Sequence, residues 1–439
     1  MLTVIGAGLA GSEAAFQAAE RGIKVQLVEM KPGKMTEAHK SPYFAELVCS
    51  NSLRSDELTN AVGLLKEEMR RMGSLIMESA DACRVPAGGA LAVDREAFSK
   101  YITDRLKSHP NIEITAAEAS EIPEGEVIIA TGPLSSDAIA DRISDLTGRE
   151  GHHFYDAVAP IVTIESVDMD SAYLATRYDK GTPDYVNCPM DREEYTAFVS
   201  ELVSAKEAVI HGFDDAGVFE GCMPVEVMAR RGFDTLRYGP LKPVGLVDPR
   251  TGSENYAVVQ LRKDNTEGTL YNMVGFQTHL TWGEQKRVFS MIPALKTAEF
   301  VRYGVMHRNT YIDSPGKLDR YYRLISEPRI CFAGQMTGVE GYIESAASGM
   351  LAGIETACRL KGIAPVDFPK ETAIGALALY ISEGSVGNFQ PMNINFGIIT
   401  PLDHRVKGKR NKNAEISARS LEIIEQIKKG EAFRHENNC

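Results

Sequence analysis

The 439-residue chain has no apolar run long enough to cross a membrane. It has no Cys-x-x-Cys pair, and its seven cysteines are an odd number. A disulfide framework or a structural zinc site is therefore not expected. His152 and His153 are adjacent, but no carboxylate-and-histidine spacing of the metalloprotease kind goes with them. A glycine motif begins at Gly6, which leaves no room for a basic, apolar, cleavable leader, and the expected compartment is the cytoplasm. Positive charge is not in excess. The formal net charge is −12, which taken alone argues against a polyanionic partner. No internal repeat or low-complexity tract stands out.

What is present is an ordinary globular composition, 44% hydrophobic and 25% charged, in a chain long enough for two or three domains. "LTVI" at residues 2–5 reads as a buried strand. A helical pattern runs to about Arg21, and "KVQLVEM" (Lys24 to Met30) is a second strand, which together make a βαβ opening. Lys31 to Cys49 reads as an extended loop. "SDELTNAVGLLKEEMRRMGSLIMESA" reads as one long amphipathic helix with Ser55 or Asp56 at its N-cap. Pro86, Gly88 and Gly89 interrupt the helical pattern before a second helix, which Pro110 stops. Strands "IEIT" and "EVIIATG" follow.

From about Gly151 the character shifts to strand-like runs, "PIVTIESV", "NYAVVQLR" and "TLYNMVGFQ", with helices between them. Buried-strand character returns at "RICFAG", followed by the small-residue helix "GYIESAASGMLAGIETA". This pattern predicts an α/β chain: a Rossmann-like FAD-binding domain of the glutathione-reductase-like kind, carrying an inserted α+β domain. The first part spans 1–150 and the insertion 151–310. Residues 311–439 complete the first domain and add a C-terminal amphipathic helix, "NAEISARSLEIIEQIKK".

"GAGLAG" places Gly6, Ala7, Gly8, Leu9, Ala10 and Gly11 directly after a strand and at the start of a helix. Gly6 permits the tight turn, Gly8 lets a pyrophosphate approach the backbone, and Gly11 lets helix and strand pack closely. The helix N-terminus offers N–H groups and positive dipole to phosphates. Glu29 closes the second strand, where a carboxylate accepts hydrogen bonds from ribose hydroxyls and repels a 2′-phosphate. FAD or NAD fits this pattern as resident ligand and NADP does not. Thr131 and Gly132 end another strand. Gly334, Gln335, Gly338 and Gly341 precede the late helix, the arrangement that flanks the cofactor in two-domain flavoproteins. No second Gly-x-Gly-x-x-Gly is present, so a reductant has no Rossmann domain of its own.

Cys49 ends a short apolar run and is followed by Ser50, Asn51, Ser52 and Arg54, polar and cationic company for a residue that usually packs in cores. Cys222 lies between a glycine and a Met-Pro turn, with Arg230 and Arg231 one to two helical turns on. Cys331 and Cys358 sit in apolar runs and read as core residues. The segment Asp403 to Asn413 concentrates Arg405, Lys407, Lys409, Arg410 and Lys412, which on charge alone reads as a solvated loop.

The segments "GAGLAGSEAA", "CSNSLRSD", "RVPAGGALAVDR", "GCMPVEVMARRG", "GQMTGVEGYIESAASG" and "NINFGIITPL" together resemble the folate- and FAD-dependent tRNA uracil-5-methyltransferases, essentially end to end. The longer wobble-uridine-modifying flavoproteins share the opening fingerprint but have a helical C-terminal domain for which this chain has no room. The resemblance implies a tRNA-modifying flavoprotein that methylates the thymine-loop uridine at C5 to 5-methyluridine. Its carbon donor is 5,10-methylenetetrahydrofolate and its reductant is reduced FAD, recharged by NADH or NADPH. Carried over by position, Cys49 and Cys222 match the two catalytic cysteines, and Tyr342 matches a tyrosine close to the flavin.

Uracil C5 is a poor nucleophile until a thiolate adds to C6, and cysteine is the side chain suited to that addition. The expectation is that Cys222 is the nucleophile, through a covalent cysteine–uracil adduct, and that Cys49 moves a proton. The target base must leave the folded RNA loop to reach such a site. Arg54, Arg84, Arg230, Arg231 and the basic stretch Arg405, Lys407, Lys409, Arg410 are the candidate RNA contacts. Three rival readings stand beside this one: an NAD(P)H-dependent flavin oxidoreductase acting on a small molecule, a wobble-uridine modifier, and an FAD-binding tRNA chaperone without turnover.

Overall fold

The computed structural model describes the chain except for residues 37–38, 149–151, 158, 180, 209–222, 266–267, 305, 385–388, 390 and 434–439. The chain begins with β1 (Leu2–Ile5), α1 (Leu9–Glu20) and β2 (Val25–Glu29). All four residues of β1 are buried, as a central parallel strand requires. β3 (Ser52–Ser55), α2 (Ala61–Arg71), α3 (Leu75–Ala82), β4 (Arg84–Val85), β5 (Ala90–Val93), α4 (Arg95–Ser108), β6 (Ile112–Ala116), β7 (Glu126–Ile129) and α5 (Asp137–Thr147) follow.

The central stretch holds β8 (His152–Ala157), β9 (Ile161–Thr163), β10 (Tyr173–Ala175), β11 (Tyr185–Met190), α6 (Arg192–Ser204), α7 (Val225–Arg230) and α8 (Thr235–Tyr238). After these come β12 (Val247–Asp248), β13 (Ser253–Glu254), β14 (Ala257–Lys263), β15 (Leu270–Met273), α9 (Trp282–Phe289), β16 (Phe300–Arg302) and β17 (Met306–Tyr311). The chain closes with β18 (Ile330–Phe332), α10 (Tyr342–Lys361), α11 (Ala373–Glu383) and α12 (Lys409–Ile427).

The first sheet is parallel, in the order β18-β7-β1-β2-β6. Its edge strand β18 returns from some two hundred residues downstream of β7 and pairs Ile330 with Val127 and Phe332 with Ile129. The second sheet has six strands, β10-β11-β14-β15-β9-β16, with antiparallel pairing throughout. Two large apolar cores accompany them. One draws on residues 2–143 and 311–424, the other on residues 159–298. The molecule is thus an α/β protein with the parallel sheet of a Rossmann-like dinucleotide-binding fold.

α1 and α10 cross at glycines. A Cβ on Gly349 would lie 2.1 Å from the Ala10 carbonyl oxygen, and one on Gly353 would lie 2.5 Å from that of Ala14. Glycines four residues apart put the two bare positions on one face of α10, so the backbones meet without intervening side chains.

The single long helix expected over residues 55–80 is two helices. Gly73 takes a positive φ of 76°, and the Ser74 side chain caps α3 by accepting from the Met77 N–H. Asp56 is not the cap of α2. That position is Asn60, and the Asp56 carboxylate instead holds Arg70 and Arg84. The basic stretch near residue 410 is only partly a loop: Lys409, Arg410 and Lys412 lie in the opening turn of α12, which begins four residues earlier than Asn413. Among the described residues no helix is long and apolar enough to cross a membrane.

Candidate active site

The turn after β1 forms the cradle expected of the glycine motif. Gly6 takes φ +95°, and a Cβ on Gly11 would lie 1.8 Å from the Gly6 carbonyl oxygen. Helix α1 is therefore pressed onto the turn, and Gly8, its N-cap, offers no side-chain hydrogen bond to the first-turn amides. A Cβ on Gly8 would meet nothing within 4 Å. Gly8 is thus the one glycine of the three that faces open space, and that space adjoins uncapped helix N–H groups. This suits a dianionic pyrophosphate.

Gly6, Gly8, Glu29, Thr131 and Ser135 line one cleft. Glu29 is buried and accepts from the Ala7 N–H at 2.7 Å and from the Lys31 N–H at 2.9 Å. These bonds fix the carboxylate beside the turn, and each oxygen keeps a lone pair for a ribose hydroxyl. The residues present fit the adenosine-diphosphate half of FAD. Leu9 and Ala10 are buried in α1, and Ala10 packs at the α10 crossing. Gly334 packs on the Ala10 methyl and donates its N–H to Ser348 Oγ at 2.7 Å. Gly341 is the N-cap of α10, with φ +113° and no side-chain cap, so this helix also presents bare amides.

Tyr342, the first residue of α10, ties that helix to the Cys49 loop. Its hydroxyl oxygen accepts from the Cys49 N–H at 2.7 Å and from the Ser50 N–H at 3.1 Å. Burial, and then the neighbouring Cys49 side chain, push the phenol's pKa up, so it stays protonated at neutral pH. Cys49 is half-buried. Its neighbours are held from several elements at once. Arg95 donates to the Leu47 carbonyl at 3.0 Å and Arg302 to that of Val48 at 2.6 Å. Arg262 donates to Ser50 Oγ at 2.6 Å and to Asn51 Oδ1 at 3.2 Å. The Asn51 amide donates to the Val93 and Lys263 carbonyls. A segment held by this many bonds loses little further entropy when it is used.

Arg54 adopts φ +64°, an uncommon conformation for a residue with a Cβ. Two partners hold it there. Its guanidinium pairs with the fully buried Glu344 carboxylate, which also accepts from the Ile394 N–H at 3.0 Å. Beneath it, Lys66 is 0% exposed and donates Nζ to the carbonyls of Leu53 and Ser55 at 2.7 and 2.6 Å. Burial pushes the Lys66 ammonium down to about 7.

Of the candidate RNA contacts, Arg54 and Lys409 line a single cavity with Asn60, Asn395, Phe396 and Asn413. Arg405, Lys407, Lys409 and Arg410 are all exposed. Arg230 lies elsewhere, at the end of α7, and pairs with Glu207. Cys222 lies outside the described residues. Glu207 and Glu226, which bracket that stretch in sequence, hold the buried His279 between them at 2.9 and 2.8 Å. Burial favours its neutral form, but the two carboxylates, Glu226 foremost, outweigh that and raise its pKa. Cys331 and Cys358 are buried as expected of core residues, and burial pushes Cys331 up to about 11.

The sequence reading missed Arg95, Arg262, Arg302 and Lys66. For Arg262 a signal was available, a charged residue inside the apolar run "VVQLRK".

Comparison with known proteins agrees with this geometry. A family model described as glucose inhibited division protein A matches residues 1–364. A methylenetetrahydrofolate–tRNA-(uracil-5-)-methyltransferase TrmFO from Acetivibrio thermocellus is 61% identical over 426 residues, covering 97% of this chain and 98% of that one. The chain belongs to the glucose inhibited division protein A family, among its TrmFO members. A TrmFO from Staphylococcus aureus (strain Newman) is 58% identical over 429 residues, covering 98% and 99% of the two chains. A crystal structure of a family member, GidA from Aquifex aeolicus, superposes with a TM-score of 0.71 at 15% identity, covering 99% of this chain and 74% of that one. At that identity the likeness establishes the fold. The family model ends before α11 and α12, whereas the TrmFO relatives run over nearly the whole chain.

Proposed function

We propose that the chain methylates a tRNA uridine at C5 with 5,10-methylenetetrahydrofolate as carbon donor, FAD as the redox cofactor and NADH or NADPH as the source of electrons. The TrmFO relatives at 58–61% identity support the substrate pair. The observation that carries the reading is the pinning of Cys49 by Tyr342, because it sets a thiol beside the uncapped N-terminus of α10. The bare amides and positive dipole at that terminus would stabilise negative charge on a reduced flavin held beside Gly341.

FAD, held by Gly6, Gly8, Gly11 and Glu29, would supply the two-electron reduction that turns a transferred methylene into a methyl group. The remaining work falls to the chain. A thiolate adds to uracil C6, which makes C5 nucleophilic toward the methylene carbon. The C5 proton then leaves to a base as the tetrahydrofolate nitrogen departs from the methylene carbon, and the thiolate is expelled as that carbon is reduced. Cys222 is assigned the addition and Cys49 the proton. The Tyr342 hydroxyl fixes the backbone of Cys49 and so anchors the base of its side chain. Lys409 and the basic turn of α12 bind the RNA backbone, while Arg54, paired with Glu344, lines the same cavity. The same reading places the protein in the cytoplasm, where tRNA is found.

The test is transfer of a labelled methylene carbon from folate to tRNA uridine by the purified flavoprotein. Wild type is expected to turn over, and both Cys222→Ser and Cys49→Ser to lose activity by a factor on the order of a thousand or more. With 5-fluorouracil RNA, a covalent adduct is expected in Cys49→Ser and not in Cys222→Ser. The opposite pattern exchanges the two roles, and no transfer in wild type ends the proposal.

A further inference from the structure

Cationic side chains reach the Cys49 loop from both cores. Arg95, at the start of α4, holds the Leu47 carbonyl at 3.0 Å. Arg302, at the end of β16 in the second sheet, holds the Val48 carbonyl, next to Cys49, at 2.6 Å. Arg262 of β14 is buried and holds Ser50. One buried carboxylate, Asp264, faces this group, and it sits on Arg95 at 3.0 Å. The cleft into which Arg95 and Arg302 open adds Lys40, Glu46 and Glu96. Glu46 turns its carboxylate to the backbone N–H groups of Lys40 and Ser41, and Glu96 is exposed to screening solvent. Tyr342, on α10, is neutral. Among the described residues the four cations therefore exceed the three carboxylates by one, and Arg302, which holds the carbonyl next to Cys49, also shares a charge interaction with it. That guanidinium is desolvated, so its field at the loop is stronger than a surface arginine's.

We propose that Arg302 is a positioning residue for Cys49, holding the loop through Val48 and stabilising the thiolate with its charge, so that the second sheet sets the reactivity of a thiol in the first domain. The inference rests on the reading that Cys49 handles a proton. A thiol with that duty works best when it gives up its proton to solvent or substrate near neutral pH. Arginine suits the position because its planar fork can hold a carbonyl and keep its charge at any working pH.

The experiment follows alkylation of Cys49 by iodoacetamide against pH in the FAD-loaded full chain, with the modified peptide read by mass spectrometry. In wild type the midpoint should fall below about 8.5, the value of an unperturbed thiol. Arg302→Gln should raise it by about one unit. The rate at pH 7 should then fall about threefold rather than tenfold, because a less stabilised thiolate is intrinsically more nucleophilic. Arg302→Lys keeps the charge and should hold the midpoint near wild type while lowering methyl transfer. Asp264→Asn removes the opposing carboxylate and should move the midpoint the other way, downward.

Opposite shifts in Arg302→Gln and Asp264→Asn support the inference, since loosening of the loop would move both in the same direction. If Arg302→Gln does not retain FAD, Arg302→Lys and Asp264→Asn decide. Shifts of one sign in Arg302→Gln and Asp264→Asn, no shift in Arg302→Gln, or an Arg302→Lys midpoint raised by about a unit, overturn it. Turnover of Cys49→Ser at the wild-type rate would instead remove Cys49 from the chemistry, while the alkylation profile would still report whether Arg302 governs its thiol.

Discussion

At the scale of single residues, the cradle separates two uses of glycine that sequence spacing treats alike. Gly11 is bare because the chain itself needs the room, with the Gly6 carbonyl 1.8 Å from any added Cβ. Gly8 is bare although nothing in the chain approaches it. Gly11→Ala is expected to force α1 off the turn, at a cost of about 1–3 kcal/mol or more, and to lower the melting temperature of the protein stripped of flavin. Gly8→Ala should leave that melting temperature unchanged and weaken FAD binding at least about tenfold, roughly 1.4 kcal/mol. Calorimetry of the flavin-free protein and a flavin titration measure the two effects, and equal melting losses in both variants would contradict the assignment. The motif was legible because its parts lie within six residues, so spacing alone carries the geometry. Arg302 and Arg95 were not legible. Arg302 meets the Val48 carbonyl 254 positions earlier, and nothing local to "FVRYG" marks that partner.

At the scale of elements, one buried carboxyl joins three helices. Glu68 of α2 accepts from the Ala373 and Ile374 N–H groups at the start of α11, at 2.7 and 2.9 Å, and from the Ser420 hydroxyl of α12. Burial pushes its pKa up to about 7, against 4.5 when exposed. The folded state then holds a proton more tightly than the unfolded chain. This contribution to stability is complete below about pH 4.5 and is lost as pH rises through 7. Glu68→Gln stays neutral and is free of this pH dependence. Relative to wild type, the variant should become more stable from pH 5 to pH 8, by at most about 1.4 kcal/mol per unit within that window. Urea unfolding at the two pH values reads the difference, and a gap independent of pH would show that Glu68 is ionised throughout. Such cross-helix capping also explains which elements the sequence revealed. The βαβ opening and the return at β18 carry their own apolar signature, as strands in a buried parallel sheet must. The break between α2 and α3 hid inside a continuous amphipathic pattern, because Gly73 and Ser74 end one helix and start another without disturbing the apolar face.

At the scale of the whole molecule, a chain of net charge −12 that acts on a polyanion must bind it through a local exception to its own field. The structure supplies a candidate for that exception. Lys409, Arg410 and Lys412 gather at the N-terminus of α12, whose dipole adds positive potential there, and Lys409 shares a cavity with Arg54. Their separation in sequence, some 355 positions, kept this pairing out of sight until the fold closed it. Because surrounding acidic surface repels RNA at long range, affinity should depend steeply on salt and should reside in few side chains. Replacing Lys407, Lys409 and Arg410 together by Ala is expected to reduce the slope of log affinity against log salt by about two, at roughly 0.7–0.9 for each phosphate that is no longer neutralised. Arg230→Ala should change the slope little, since that guanidinium is already committed to Glu207. Filter binding of unmodified tRNA between 50 and 300 mM salt, taken as about the range where counterion release dominates, measures both. An unchanged slope in the triple variant would remove the start of α12 from the interface. A reduced slope in Arg230→Ala instead would move the RNA to the face carried by α7.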